Sequence, residues 1–173
     1  TDVTFENVRV KASAMLGPEG SGFKLALNAL NLSHAFVATM AVGIMQRALD
    51  ESVKYAKERK QFGEQNYLLQ MVQQMLADMA IKIEASRCLV NNTMRMMDQG
   101  SLVQKEGSIT KTFVSDCAQE VTSNAVQIFG GYGYSKEYPV EKLMRDCKVF
   151  QIFEGANQVQ RMTIANVLKK EYK

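Results

Sequence analysis

Only one histidine, His34, occurs in these 173 residues, and that scarcity removes whole classes of chemistry. Zinc hydrolases and Ser–His–Asp triads lose their usual parts, and a ferritin-like di-iron site would need two Glu-x-x-His pairs. The three cysteines, Cys88, Cys117 and Cys147, are odd in number and widely spaced, so they fit neither a disulfide framework nor a CxxC metal pair. They read as reduced thiols packed like small apolar side chains, which implies a reducing compartment. Two prolines and eleven glycines are too few for collagen-like or low-complexity disorder. No uncharged run approaches the ~20 strongly apolar residues of a membrane span, and no basic-then-apolar leader precedes a small-residue cleavage site. A soluble chain without a span is therefore expected. The net charge of +3 is modest, and no Lys/Arg run with interleaved aromatics marks a nucleic-acid face.

What remains is 46% apolar, enough for one domain with a real core. Val3 and Phe5, then Val8 and Val10, alternate with polar neighbours and suit one or two short edge strands. Gly17–Gly22 then breaks the chain; it lacks the GK[ST] ending of a phosphate loop and reads as a linker. From Phe23 to Lys60 the absence of proline and the spacing of Val37, Ala41, Ile44 and Ala48 predict one long helix, ended by Gly63. Val72, Leu76, Met79 and Ile83 mark a second, closing near Gln99-Gly100. After a polar connection from Ser101 to Gly107, Ile109, Phe113, Cys117, Val121 and Ala125 mark a third. Shorter helices are expected from Pro139 to Cys147 and from Asn157 to Leu168. The fold class is thus all-α, an antiparallel up-down four-helix bundle with extra short helices and a short N-terminal strand or hairpin stub. The eleven methionines read mostly as flexible core filler, and the long apolar flanks favour self-association.

Three stretches depart from ordinary bundle sequence. Glu58-Arg59-Lys60-Gln61-Phe62-Gly63 sets a cation cluster beside an aromatic and a glycine, either to grip a phosphate or to cap a helix dipole. Ala125 to Tyr134, AVQIFGGYGY, places three glycines in four positions, either an elaborate cap or a close backbone approach to a flat or polyanionic group. In Phe150 to Gln158, FQIFEGANQ, a carboxylate sits between aromatic, apolar and small residues with little to solvate it. It is either a general base or an acid favoured by the following helix N-terminus.

Taken together and in order, YAKERKQFG (55–63), LADMA (76–80), AVQIFGGYGY (125–134), EYPVEKLMRD (137–146) and QIFEGANQVQR (151–161) are similar to the signature strings of the acyl-CoA dehydrogenases. The chain resembles the C-terminal part of those flavoenzymes over essentially its whole length. Residues 1–16 resemble the last strands of the family's middle β-domain, and residues 17–173 its C-terminal four-helix domain. The resemblance implies FAD-dependent α,β-dehydrogenation of an acyl-CoA thioester. Glu154 would take the α proton and Gly155 would lie beside the thioester. Arg59, Phe62, Gln70, Gln127 and Gly131 would meet the FAD of a neighbouring subunit, and Gln158 the subunit's own.

It further implies a homodimer or homotetramer, an electron-transfer flavoprotein as acceptor, and a bacterial cytoplasm or a mitochondrial matrix. Family enzymes are roughly twice this size, so the chain is expected to be one piece of a larger enzyme. There are departures: Ala156 and Phe153 stand where threonine and tyrosine are common, and His34 replaces a frequent arginine near the thioester. Ser33 lies where some members carry their base, which a serine cannot be. A catalytically silent assembly module, or an oxidase or reductase relative, is the alternative.

Overall fold

The small residues Ala35, Ala38, Ala41, Ala48 and Ala56 line one buried face of the first long helix, α1 (Gly22–Glu58), and let a second helix come close. In the computed structural model, which describes residues 2–172, that neighbour is α3 (Gln104–Phe129), bringing Val114, Ala118, Val121 and Ala125. The core is closed by Leu76, Met79, Ile83 and Val90 of α2 (Gln70–Asp98). The short α4 (Val140–Cys147) seals one end of α3 with Val140 and Cys147, and α5 (Asn157–Glu171) covers the other.

Helix directions follow from side-chain pairs. Arg87 on α2 reaches Gln46 on α1, and Lys82 on α2 pairs with Glu120 on α3 at 2.7 Å, while Thr93 meets Thr110. Lys105 on α3 holds Glu171 on α5, and Asp116 holds Arg161. Each long helix therefore runs against the one before it, the expected up-down-up-down bundle.

Several local expectations need correction. Residues 2–11 form no strand: Val3, Phe5, Val8 and Val10 stand in solvent, with no partner among the described residues to supply a ladder. The hairpin that does form lies elsewhere, between β1 (Lys60–Gln61) and β2 (Glu64–Gln65), in the register Lys60↔Gln65. Its two-residue loop, Phe62-Gly63, has positive φ at both positions, as a type I′ turn requires. Gly63 thus turns a hairpin rather than ending the helix, and α1 stops at Glu58, two residues before Lys60. Met15, Met40, Met71, Met144 and Met162 are exposed rather than core; only Met45 and Met79 are fully sealed.

Helix α1 is also long and apolar enough, by length and composition, to cross a membrane, against the expectation from the sequence. Its role in the fold is that of a core helix: His34, Ala35, Val37, Ala38, Ala41, Val42 and Met45 are buried against the bundle. In its first half Phe23, Leu27 and Leu30, which continue the buried side, and Leu25, Leu32 and Phe36 on the other side all stand exposed.

Candidate active site

The turn after α4 leads through Phe150, buried, into Ile152-Phe153-Glu154-Gly155-Ala156, and then into α5. Phe150 and Phe153 pack edge to face at 5.4 Å and anchor the turn's apolar side. Glu154 (φ +54°) and Gly155 (φ +86°) are both left-handed. The backbone conformation favours glycine at 155, and an alanine Cβ there would stand 2.5 Å from Gln160 Nε2, so that the end of the Gln160 side chain would have to shift.

Every carbonyl of this turn that faces the bundle is tied down. The Glu154 carbonyl oxygen lies 3.1 Å from both His34 Nε2 and Gln160 Nε2. The Gly155 carbonyl accepts from Lys111 Nζ at 2.8 Å and from Gln160 at 3.3 Å. The N–H groups of Glu154, Gly155 and Ala156 have no acceptor among the described residues. The Glu154 carboxylate, half-buried, accepts from Ser33 Oγ at 2.5 Å through Oε2. Its Oε1 has no protein donor among the described residues.

Beneath the turn lies a buried polar cluster. Lys111 Nζ also donates to Asn157 Oδ1 at 2.8 Å, and Asn157 Nδ2 donates to Ser115 Oγ and to Asp116 Oδ1, each at 2.8 Å. Burial pushes the Lys111 ammonium down to about 8, against the favourable fields of Asp116 and Glu154. Burial also tends to raise Asp116, but hydrogen bonds from Arg161, Gln151 and Asn157 outweigh it and hold the carboxyl below its ordinary range. His34 is lowered chiefly by burial, against the Glu154 carbonyl, which favours the proton. Gln160 Nε2 lies 3.1 Å from His34 Nε2 as well, so the tautomer of His34 decides which neighbour its Nε2 bonds, and Nδ1 is left without a partner.

A second feature sits at the far end of α1. Tyr55 stacks on Phe129 at 4.0 Å, and Tyr138 meets both rings edge-on. Above this floor opens a cleft of about 460 Å³ lined by Arg59, Gln61, Asn66, Gln127, Gly130 and Gly131, among others. Arg59 lies over the Tyr132 ring at 5.5 Å, and among the described residues no carboxylate pairs with it. Nothing stands within 4 Å of where a Cβ would be at Gly130 or Gly131, so a ligand can approach their backbone. Asn66 is buried with Oδ1 lacking a donor. An uncommitted guanidinium, open glycine backbone and an orphaned amide fit a group that is polyanionic at one part and hydrogen-bonding at another, as a flavin dinucleotide is.

The predicted site residues therefore fall into two groups. Glu154, Gly155, His34 and Gln158 belong to the turn and its surroundings, with His34 buried beneath the turn rather than facing open space and Gln158 exposed on the first turn of α5. Arg59, Gln127 and Gly131 share the cleft. Phe62 at the hairpin tip and Gln70 at the start of α2 are exposed and do not line it. The sequence reading passed over Lys111, Asn157, Gln160 and Asn66. Lys111 carried a usable signal, because it falls on the same helical face as Val114, Ala118 and Val121 and so breaks a buried stripe with a charge.

The family description "acyl-CoA dehydrogenase, C-terminal domain" matches residues 20–169. The chain is 44% identical over 171 residues to cyclohexane-1-carbonyl-CoA dehydrogenase of Geobacter metallireducens, covering 99% of this chain and 45% of that protein. It is 45% identical over 171 residues to the caffeyl-CoA reductase–Etf complex subunit CarC of Acetobacterium woodii, with the same coverage. Among solved structures, butyryl-CoA dehydrogenase from Megasphaera elsdenii superposes with a TM-score of 0.93 at 45% identity, covering 95% of this chain and 43% of that one. The chain thus spans under half the length of these relatives. Identity at this level, over nearly every residue described and with the bundle superposed, leaves one conclusion: the chain belongs to the acyl-CoA dehydrogenase family and corresponds to its C-terminal helical domain.

Proposed function

We propose that this chain carries the base for FAD-dependent dehydrogenation of an acyl-CoA thioester, with Glu154 removing the α proton. The observation that carries the reading is the Glu154 turn itself. One carboxylate oxygen is held by Ser33 at 2.5 Å and the other is free to meet a C–H bond, on a backbone pinned by His34, Gln160 and Lys111. The free N–H of Glu154 is a donor for the thioester oxygen, where charge builds as the α proton leaves. Gly155 keeps the space beside that carbon clear of a side chain. When bound, FAD supplies the acceptor for the β-hydrogen, which leaves as hydride. Ala156 offers no hydroxyl to the flavin, so Gln158 is the polar group that this turn of α5 presents to it.

The cleft at Arg59 belongs to a different cofactor molecule. Ser33 and Arg59 are 26 positions apart on or just past one helix, roughly 39 Å at 1.5 Å per residue, too far for one dinucleotide to serve both ends. Arg59, Gln127 and Gly131, with Phe62 and Gln70 beside them, are proposed to hold the FAD of a second copy, in a homodimer or homotetramer. The exposed apolar residues in the first half of α1 and residues 2–16 are proposed to pack against a β-domain that completes the site. Free thiols at all three cysteines suit a cytoplasm or a mitochondrial matrix.

An electron-transfer flavoprotein is the proposed redox partner, since one relative is named as a subunit of a complex with Etf. That same relative is named a reductase, and Glu154 could equally return a proton to the α carbon in that direction. The test is Glu154→Gln in the complete protein carrying this chain. Flavin reduction by acyl-CoA should fall about 10²–10⁴-fold while thioester binding persists. Undiminished reduction would remove Glu154 from the chemistry.

A further inference from the structure

Lys111 is the largest side chain that is sealed from solvent among the described residues, yet no carboxylate pairs with it directly. Burying an ammonium is costly unless it is well bonded, and here its partners are the Gly155 carbonyl and the Asn157 amide oxygen, both at 2.8 Å. A methylene chain of the same length would fill the space but leave the Gly155 carbonyl without its strongest donor. In a planar trans peptide, C=O and N–H point opposite ways. Drawing the Gly155 carbonyl into the bundle therefore turns the Ala156 N–H outward. The His34 and Gln160 contacts do the same for the peptide between Glu154 and Gly155.

We propose that Lys111 is a positioning residue: its ammonium holds Gly155 and Asn157, and so fixes the left-handed Glu154–Gly155 pair from which the carboxylate is presented. Asn157 extends the hold to Asp116, tying the start of α5 to α3 so that the turn is gripped on both sides of Ala156. The charged and titratable groups around Lys111 are His34 from α1, Glu154 from the turn, Asp116 from α3 and, through Asp116, Arg161 from α5. From α2 the neutral Thr93 meets the neighbouring Thr110, and the ionised groups whose fields favour the Lys111 charge are Asp116 and Glu154. Burial brings the amine to about 8, so its proton leaves within a reachable range. The neutral amine still donates, but without charge assistance the hold on Gly155 weakens as pH rises through that value.

The kinetic part rests on Glu154 being the base; the conformational part does not. In the complete protein carrying this chain, Lys111→Met should lower kcat about 10–100-fold at pH 7, with KM for the acyl-CoA and FAD content changing by less than about threefold. Lys111→Arg should recover most of that rate and keep it to about pH 9.5, whereas the parent protein declines through about 8. In crystals of Lys111→Met, Glu154 and Gly155 should leave the left-handed region. A Met variant with kcat within about twofold of the parent, an unmoved turn, or an Arg variant declining at the parent's midpoint would each overturn the proposal. Should the Met variant not fold, the alkaline profile of the Arg variant decides. If Glu154→Gln is fully active while the turn still moves in Lys111→Met, the base assignment fails and the positioning role stands.

Discussion

Replacing Gly155 with alanine separates two contributions to the turn that bears Glu154. At φ +86° a side chain costs about 1–2 kcal/mol of backbone strain whatever surrounds it. The new Cβ would also stand 2.5 Å from Gln160 Nε2, and Gln160, buried, must then move. Moving it gives up contacts to the Glu154 carbonyl at 3.1 Å and the Gly155 carbonyl at 3.3 Å, worth about 1 kcal/mol net apiece. Gly155→Ala should therefore destabilise the chain by about 3–4 kcal/mol. In a Gln160→Ala background the clash and those bonds are already gone, so the same change should cost only the strain. Urea unfolding of the four proteins, with constant m-values, measures the difference as a coupling of about 2 kcal/mol. If the two substitutions add to within about 0.5 kcal/mol, Gln160 is not the brace of this turn.

Two further outcomes follow from the cleft and the thiols. Arg59→Ala should weaken binding of FAD by the complete protein about 10–100-fold, with little change in Tm because the side chain is exposed and only its contact with the Tyr132 ring is lost; Arg59→Lys should restore little, since a point charge lacks the paired donors. Unchanged affinity in a calorimetric titration would take Arg59 out of the cofactor site. An aromatic disulfide reagent at about pH 8 should find one fast thiol, Cys88, on the folded chain. Burial raises Cys117 and lifts Cys147 to about 11, so those two should react only on unfolding; a fast Cys117 would contradict the packing of α3 against α2, and a fast Cys147 that of α3 against α4.

Much of the architecture was legible because long helices announce themselves by period. The stripes Val37–Ala48, Leu76–Ile83 and Cys117–Ala125 fall on buried faces. The same rule failed over the first half of α3. Ile109 and Phe113 continue the apolar period but face partly outward, while Ser108, Thr110, Lys111, Thr112 and Ser115 are buried. Lys111 is interior there because it donates to the Gly155 carbonyl of the Glu154 turn, Ser115 accepts from Asn157 at the start of α5, and Thr110 pairs with Thr93 of α2, so polar partners replace part of an apolar stripe. Hydrophobic periodicity has no term for that exchange. The hairpin was missed for a related reason: Phe62-Gly63 follows a cation run that reads as a helix end, and only backbone geometry reveals two successive positive φ values. Glu154 stood out as a candidate from its apolar neighbours and from the resemblance, whereas the residues that hold its turn did not, since Gln160 and Asn157 come from a helix that reads as surface.

The arrangement of small and polar residues along α1 and α3 explains why one pair of helices can serve both ends of the domain. At the Tyr55 end the interface is aromatic and alanine-lined, with Ala56 and Ala125 sealed beneath the stacked rings that floor the Arg59 cleft. At the Glu154 end the same two helices offer His34 and Lys111, whose contacts with the turn itself are to the backbone carbonyls of Glu154 and Gly155. A turn held by its carbonyls does not depend on the side chains at Ile152 or Ala156, so those two positions are free to vary. A turn held by its own side chains could not vary in that way without losing the geometry that presents Glu154.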